Sequence, residues 1–221
     1  MKFFKRLLNK IDSDINTKKQ DDSDIIFSLT SASVSIEEKM GLQFSGSAAF
    51  CVKGINGSLF QSTIKDCTDL LDVSKIEFKF NYRTFADPYD YLWFIITSSD
   101  IETKSETITN IAAGLSSIGD IIEENGFEDQ ILSAIFKYNF GNRVSFFEDS
   151  EKKFTSKNKN LYLIYNYKTN NFYPYIPLIE NNNNKHQRDT TSELQTLSIL
   201  KNLIEVETDI TRWYPIYNIP F

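Results

Sequence analysis

The sequence predicts an α+β fold, a mainly antiparallel sheet packed by helices in a single globular domain. Three observations carry this. Strand-like runs come in groups rather than alternating one by one with helices. Two pairs of apolar runs are joined by turn signals, at Asp87-Pro88 and at Thr169-Asn170, as hairpins are. A single long amphipathic stretch, residues 101–124, supplies a helix able to lie across a sheet.

The elements follow in order. Residues 2–11, KFFKRLLNKI, set Phe3, Phe4, Leu7, Leu8 and Ile11 at helical spacing among Lys2, Lys5, Arg6 and Lys10, a short basic amphipathic helix. Residues 12–23 are polar and aperiodic, so 1–23 reads as an arm with its linker and 24–221 as the α+β domain. Ile25, Leu29, Ala32, Ile36 and Met40 recur at steps of four, three, four and four, which predicts a helix with a weak point near Thr30 and Ser31, ending at Gly41. LQFSGSAAFCVKG follows as a strand whose small residues allow close packing. After Phe60, the residues Ile64, Cys67 and Leu71 mark a short helix face.

Ile76, Phe78 and Phe80 alternate with polar residues and predict a strand. YLWFIIT, Tyr91 to Thr97, is continuously apolar and predicts the central strand. Ser99 and Glu102 suggest a capping box for the long helix. Its stripe is Ile108, Ile111, Ala112, Leu115, Ile118, Ile121 and Ile122, with Gly114 and Gly119 as close-packing positions and Asn125-Gly126 as the stop. Ile131–Phe140 reads as a strand, with a helical start as the alternative, and Leu161–Tyr167 with Asn171–Tyr175 as the second hairpin. A charged loop (148–160) and an asparagine-rich loop (181–187) intervene. Thr191–Leu203 predicts a last helix with Leu194, Leu197, Leu200 and Leu203 on its apolar side, before the aromatic tail RWYPIYNIPF.

Composition removes several functions. The 221 residues carry a net charge of −6, the wrong sign for a duplex-binding domain, so no nucleic acid is expected. The charge is uneven. Lys2, Lys5, Arg6, Lys10, Lys18 and Lys19 outnumber Asp12 and Asp14 by four in residues 1–20, which leaves −10 on the rest of a −6 chain. No stretch is long enough to span a bilayer, and the start lacks a signal-peptide apolar region, which predicts a cytoplasmic protein. Two cysteines make no disulfide framework; Cys51 and Cys67 read as small core hydrophobes rather than a redox pair.

Catalytic residues are not expected. The one histidine, His186, sits in the asparagine-rich loop, where nothing would lock a catalytic rotamer, so a histidine-dependent triad or zinc site is unsupported. No Walker-type or dinucleotide-type glycine motif occurs; Gly54 and Gly57 read as a turn. Carboxylates gather at Asp66, Asp69 and Asp72, at Glu123, Glu124, Glu128 and Asp129, and at Asp87 and Asp90. They read as solvated faces, with an oxygen-ligated metal site, and hence a carboxylate- or metal-dependent hydrolase, as the alternative. Arg212, Trp213 and Tyr214 are a possible interface, set against a tail packed on the body. An aromatic load of eighteen Phe and eleven Tyr leaves room for a small-ligand sensor with an aromatic pocket. The basic arm, through Phe3, Phe4, Lys5, Arg6, Leu7 and Leu8, either docks on a partner or an anionic membrane, or folds back on its own domain.

Several blocks, in order along nearly the whole chain, resemble the PspAB family of PspA-associated proteins. They are MKFFKRLL, IIFSLTSASVSIEEKMGLQFSGSAAFCVK, the segment from YLWFIITSSD to QILSAIF, LYLIYNYKTNNFYPYIPL, RDTTSELQ and VETDITRWYPIYNIPF. FYPYIPL and the RWYP ending are the most specific, and residues 146–160 and the asparagine run are insertion-like departures. The resemblance implies an adaptor or regulator of a phage-shock-like membrane-stress system. Its implied partners are a PspA-like coiled-coil protein or an HtpX-type membrane protease, with a site at the inner face of the membrane. It implies no catalytic residues and no cofactor. The layout also resembles secretion-chaperone-like and YbjN-like folds, as an analogy of architecture.

Overall fold

The computed structural model describes residues 22–99, 104–140, 160–178, 187–216 and 219–221. The basic arm, His186, the charged loop, and Glu102 of the expected capping box lie outside them.

The chain enters as α1 (Asp22–Met40), unbroken through Thr30 and Ser31. Leu29, Ala32, Ile36 and Met40 are buried along it, as their spacing requires. Gly41 takes φ +65°, and its N–H closes the last turn on Glu37, so the chain reverses at once into β1 (Leu42–Lys53). β1 bulges between Phe44 and Ala48, with Gly46 at φ +78°. α2 (Ser58–Ser74) buries Phe60, Cys67 and Leu71.

β2 (Phe80–Ala86) and β3 (Tyr91–Ser98) form the expected hairpin. It begins later than the alternation suggests. Residues 75–79 are turn, Lys79 is at φ +50°, and Ile76 is 83% exposed. The period of two at 76–80 therefore does not mark a strand; only its last member, Phe80, enters the sheet. α3 (Lys104–Glu124) leads through a 3-10 turn, Glu128–Gln130, into β4 (Ile131–Phe140). β5 (Asn160–Asn166) and β6 (Asn171–Tyr175) make the second hairpin, with Asn170 at φ +53° in its turn. The short pair β7 (Pro177–Leu178) and β8 (Gln187–Arg188) leads to α4 (Thr190–Leu200).

The strand order is β2-β3-β1-β4-β5-β6, and every pairing in this six-stranded sheet is antiparallel. β3 is thus interior but not central. Its apolar run reflects neighbours on both sides, β2 and β1, while the middle belongs to β1 and β4. β1 is the longer strand and carries more small residues, which let α3 and the sheet approach closely. α1, α2 and α3 cover one face. There Ile108, Ile111, Leu115, Ile118 and Ile122 meet Phe50, Phe94, Ile96, Phe136 and Leu163 in one apolar cluster. Of the α3 glycines, Gly114 makes the closer approach to the sheet. A Cβ on Gly114 would lie 2.9 Å from Ile96 Cδ1, and one on Gly119 3.5 Å from the Phe50 ring.

The two edges differ. β6 is covered by residues 205–207: Phe172 N–H donates to Glu205 O, and Glu207 N–H donates to Phe172 O. No strand among the described residues pairs with the outer side of β2.

Candidate functional site

Side chains alternate across a strand, so the residues between those of the helical face form a second face. It carries a separate cluster that includes Ala49, Trp93, Ile95, Ile135, Tyr162, Tyr173, Tyr175 and Trp213. Among the described residues no long helix lies over it, although Leu197 of α4 packs against it. Its cover is the C-terminal segment, which crosses from one edge of the sheet to the other. Trp213 stacks on Tyr173 of β6 (centroids 6.2 Å, planes 18° apart), Phe221 lies on Tyr162 of β5, and Arg83 of β2 donates to Pro220 O.

A buried ion pair holds the start of this strap. Glu193 on α4 is 0% exposed and accepts from Ile176 N at 2.7 Å and from Arg188 Nε at 2.7 Å. Arg188 also donates to Trp213 O at 3.0 Å and to Pro174 O at 3.4 Å, with its guanidinium between the rings of Tyr175 and Trp213. Asp189 caps α4 by accepting from Ser192 N and Ser192 Oγ, which fixes Glu193 in place. Burial pushes the Glu193 carboxyl above the usual carboxylate range, although Ile176 N–H and Arg188 pull it the other way. Trp213 Nε1 donates to Glu207 O at 2.9 Å, so the indole is fixed at both its ring face and its N–H.

Beside the strap the sheet is left open as a cleft of about 620 Å³. Its floor is one registered row across four strands, Trp93, Cys51, Ser133 and Asn166. One wall is the β2–β3 turn with Asp87, Tyr89 and Tyr91; the other is Tyr214, Pro215 and Ile216 of the strap. Asp87 organises its wall. One of its oxygens accepts from Tyr89 N and Tyr91 N at 2.9 and 3.0 Å, and the other from Trp93 Nε1 at 3.2 Å. Lys53 lies over the Tyr91 ring and donates to Tyr89 O. Burial, with a smaller contribution from the Asp87 charge, pushes the Cys51 thiol up, so it is held as an unreactive thiol. Cys67 is pushed up to about 12 by burial under α3. At the far end Asn166 Oδ1 accepts from Lys168 N at 3.0 Å. Ser133 Oγ is buried with no hydrogen-bond partner.

The expected interface trio separates. Trp213 is buried against Tyr173 and serves the strap, not a nucleic-acid base. Arg212 is exposed, 3.7 Å from Glu207 and 3.5 Å from Asp209. Tyr214 alone lines the cleft. Phe3, Phe4, Lys5, Arg6, Leu7 and Leu8 lie outside the described residues. The carboxylates do not converge. Asp69 pairs with Lys65 and Asp72 with Lys75 on the exposed side of α2, and no three His, Cys, Asp or Glu side chains gather around a metal-sized space among the described residues. Among those residues no helix is long and apolar enough to cross a membrane.

Sequence reading passed over Arg188, Glu193, Ser133 and Asn166. Each left a faint trace: a glutamate inside an apolar helix run, an arginine five residues before it, a serine within ILSAIF, and an asparagine closing LYLIY.

A family model described as PspAB, PspA associated protein B, matches residues 1–221, the whole chain. No curated protein and no solved structure matches it at a significant level.

Proposed function

The chain belongs to the PspA associated protein B family, and from that premise we propose that it is a non-enzymatic adaptor or regulator in a membrane-stress system. It docks a PspA-like coiled-coil protein, with an HtpX-type membrane protease as the second candidate partner. The carrying observation is the whole-chain match to a family named for association with PspA. The cleft on the strap-covered face supports a binding role, since it is concave, lined by the rings of Tyr89, Tyr91, Trp93, Tyr173 and Tyr214 among others, and bordered by a strap.

The basic arm adds a second contact. Phe3, Phe4, Leu7 and Leu8 with Lys5 and Arg6 suit an anionic membrane surface or an acidic partner face. Each Lys or Arg near an anionic surface contributes about 1 kcal/mol, so the arm alone binds weakly and in a salt-sensitive way. Joined to a contact from the body, it raises the overall affinity through effective concentration.

The test is co-purification with a PspA-like protein, together with liposome co-sedimentation, for the full chain and residues 24–221 at low and high salt. The full chain is expected to retain the partner, and the truncated chain to retain less of it at low salt. Failure of the full chain to retain any PspA-like protein overturns the reading. Equal retention by the two chains removes the arm from it. His186→Ala is expected to leave retention and the stress phenotype unchanged; loss of either with the fold intact would mean that chemistry had been overlooked.

A further inference from the structure

We propose that the cleft binds a carboxylate-headed ligand with an apolar body, the head at Ser133, Asn166 and Lys168 and the body over Cys51 towards Trp93. This is independent of the partner reading above and concerns the chemistry of the cleft itself.

The argument starts from Ser133. It is 4% exposed, it is one of the residues lining the cleft, and its buried hydroxyl has no hydrogen-bond partner in the fold. A buried hydroxyl left unpaired is destabilising. A core position here would be filled more stably by alanine, so the hydroxyl marks a place where something else supplies the partner. Asn166 is its registered neighbour on β5. Asn166 Oδ1 accepts from Lys168 N, and the amide NH2 of this cleft-lining residue is a donor that a ligand can use. Lys168 adds an ammonium at the rim. The three groups therefore offer a hydroxyl, an amide donor and a positive charge at one end of the row, the set that a carboxylate satisfies best.

The other end is of opposite character. Asp87 accepts from two backbone N–H groups and from the Trp93 indole, and its charge repels a second carboxylate there. The ligand is thus oriented. Its head lies over β4 and β5 and its body runs across β1 to the aromatic wall of Trp93 and Tyr91. Three strand spacings separate Trp93 from Asn166, about 14 Å at roughly 4.8 Å each. That length accommodates a dipeptide or an arylalkyl acid. The same chemistry is offered by a peptide C-terminus with a large apolar last residue and by a free organic acid.

The experiment titrates the full chain with 4-phenylbutanoate, with its amide, and with N-acetyl-Leu-Phe bearing a free or an amidated C-terminus. Binding is read by calorimetry and by tryptophan emission. The acids are expected to bind and the matching amides to bind at least about tenfold more weakly, as loss of a charge-assisted pair implies. A tighter peptide acid assigns the site to peptide ends, and a tighter phenylbutanoate to free acids. Ser133→Ala is expected to weaken acid binding several-fold while keeping or raising Tm, a pairing that a merely structural serine would not produce. Lys168→Ala is expected to weaken the acid and leave the amide unaffected. Equal binding of acid and amide, absence of binding at millimolar acid, or unchanged acid affinity in Ser133→Ala each overturns the proposal.

Discussion

The two faces of the sheet are built on different principles. Under the helices, many aliphatic and aromatic side chains share the work: the α3 stripe, the α1 stripe and residues of all six strands interlock in one cluster. No single contact there dominates, and stability follows buried area, about 1.5–3 kcal/mol for each fully buried aliphatic side chain. On the strap side, aromatic rings and one buried ion pair carry the structure, and a cleft is left beside them. The first face fixes the fold; the second has specific contacts and free space, which is what recognition requires.

The most severe way to break this contrast is a charge in the helix-covered face. Ile111→Asp or Leu115→Asp places an unpaired carboxylate among residues that are 1% and 0% exposed. Either variant is expected to lose its cooperative thermal transition. Retention of the wild-type Tm by either one would mean that α3 does not organise the core.

Glu193→Ala tests the other face. It leaves the Arg188 guanidinium and the Ile176 N–H without their partner, an expected loss of about 3–5 kcal/mol by denaturant unfolding. The contrast is sharpened by where the damage appears. Because Arg188 also holds Trp213 O, the Trp213 emission should shift to the red before the main unfolding transition. A single transition with unshifted emission would show that the strap and the helical core are one cooperative unit.

A milder change separates charge from shape. Glu193→Gln keeps an oxygen for Ile176 N–H and removes the titration. The Glu193 carboxyl is raised in the fold, chiefly by burial, so the folded state holds its proton more tightly than the unfolded state does. Its contribution is therefore complete below the unfolded value and is lost as pH rises through the folded value. The Tm advantage of wild type over Glu193→Gln should shrink as pH rises through that range. An advantage that grows with pH would mean that Arg188 outweighs burial.

The smallest expected effect returns to the helix-covered face. Gly114→Ala gains up to about 1 kcal/mol of helix propensity but sets a Cβ 2.9 Å from Ile96 Cδ1, and overpacking typically costs about 1–3 kcal/mol. A net loss of about 1 kcal/mol is expected. A gain would show that the Ile96 side chain turns aside freely.

Legibility divides along the same line. The α3 stripe, α1, and both hairpins can be read in the sequence because periods of 3.6 and 2 record which side is covered. Gly41, Gly126 and Asn170 mark reversals that their positive φ values explain. The failures are local. Ile76 and Phe78 mimic a strand by chance alternation, and Leu194 belongs to an apparent apolar face yet is 43% exposed while Glu193 beside it is buried. Periodicity cannot show that a charge is buried, because the partner, Arg188, sits outside the helix. The cleft is equally silent, since its floor draws single residues from β3, β1, β4 and β5, and only the sheet order brings them into one row.

That sheet order also sets how the molecule assembles. β1, first of the strands in the chain, occupies the middle and is flanked by β3 and β4. The β2–β3 and β5–β6 hairpins close over short turns, whereas Leu42 meets Phe140 only after most of the intervening chain has been gathered in. Closing so long a loop is entropically unfavourable before the β1–β4 contacts offset it, and such nonlocal pairing slows folding. The row that floors the cleft therefore exists only once β1 has been enclosed on both sides. An unfinished molecule has hairpins and helices but no cleft, so the cleft is confined to chains that have completed their fold.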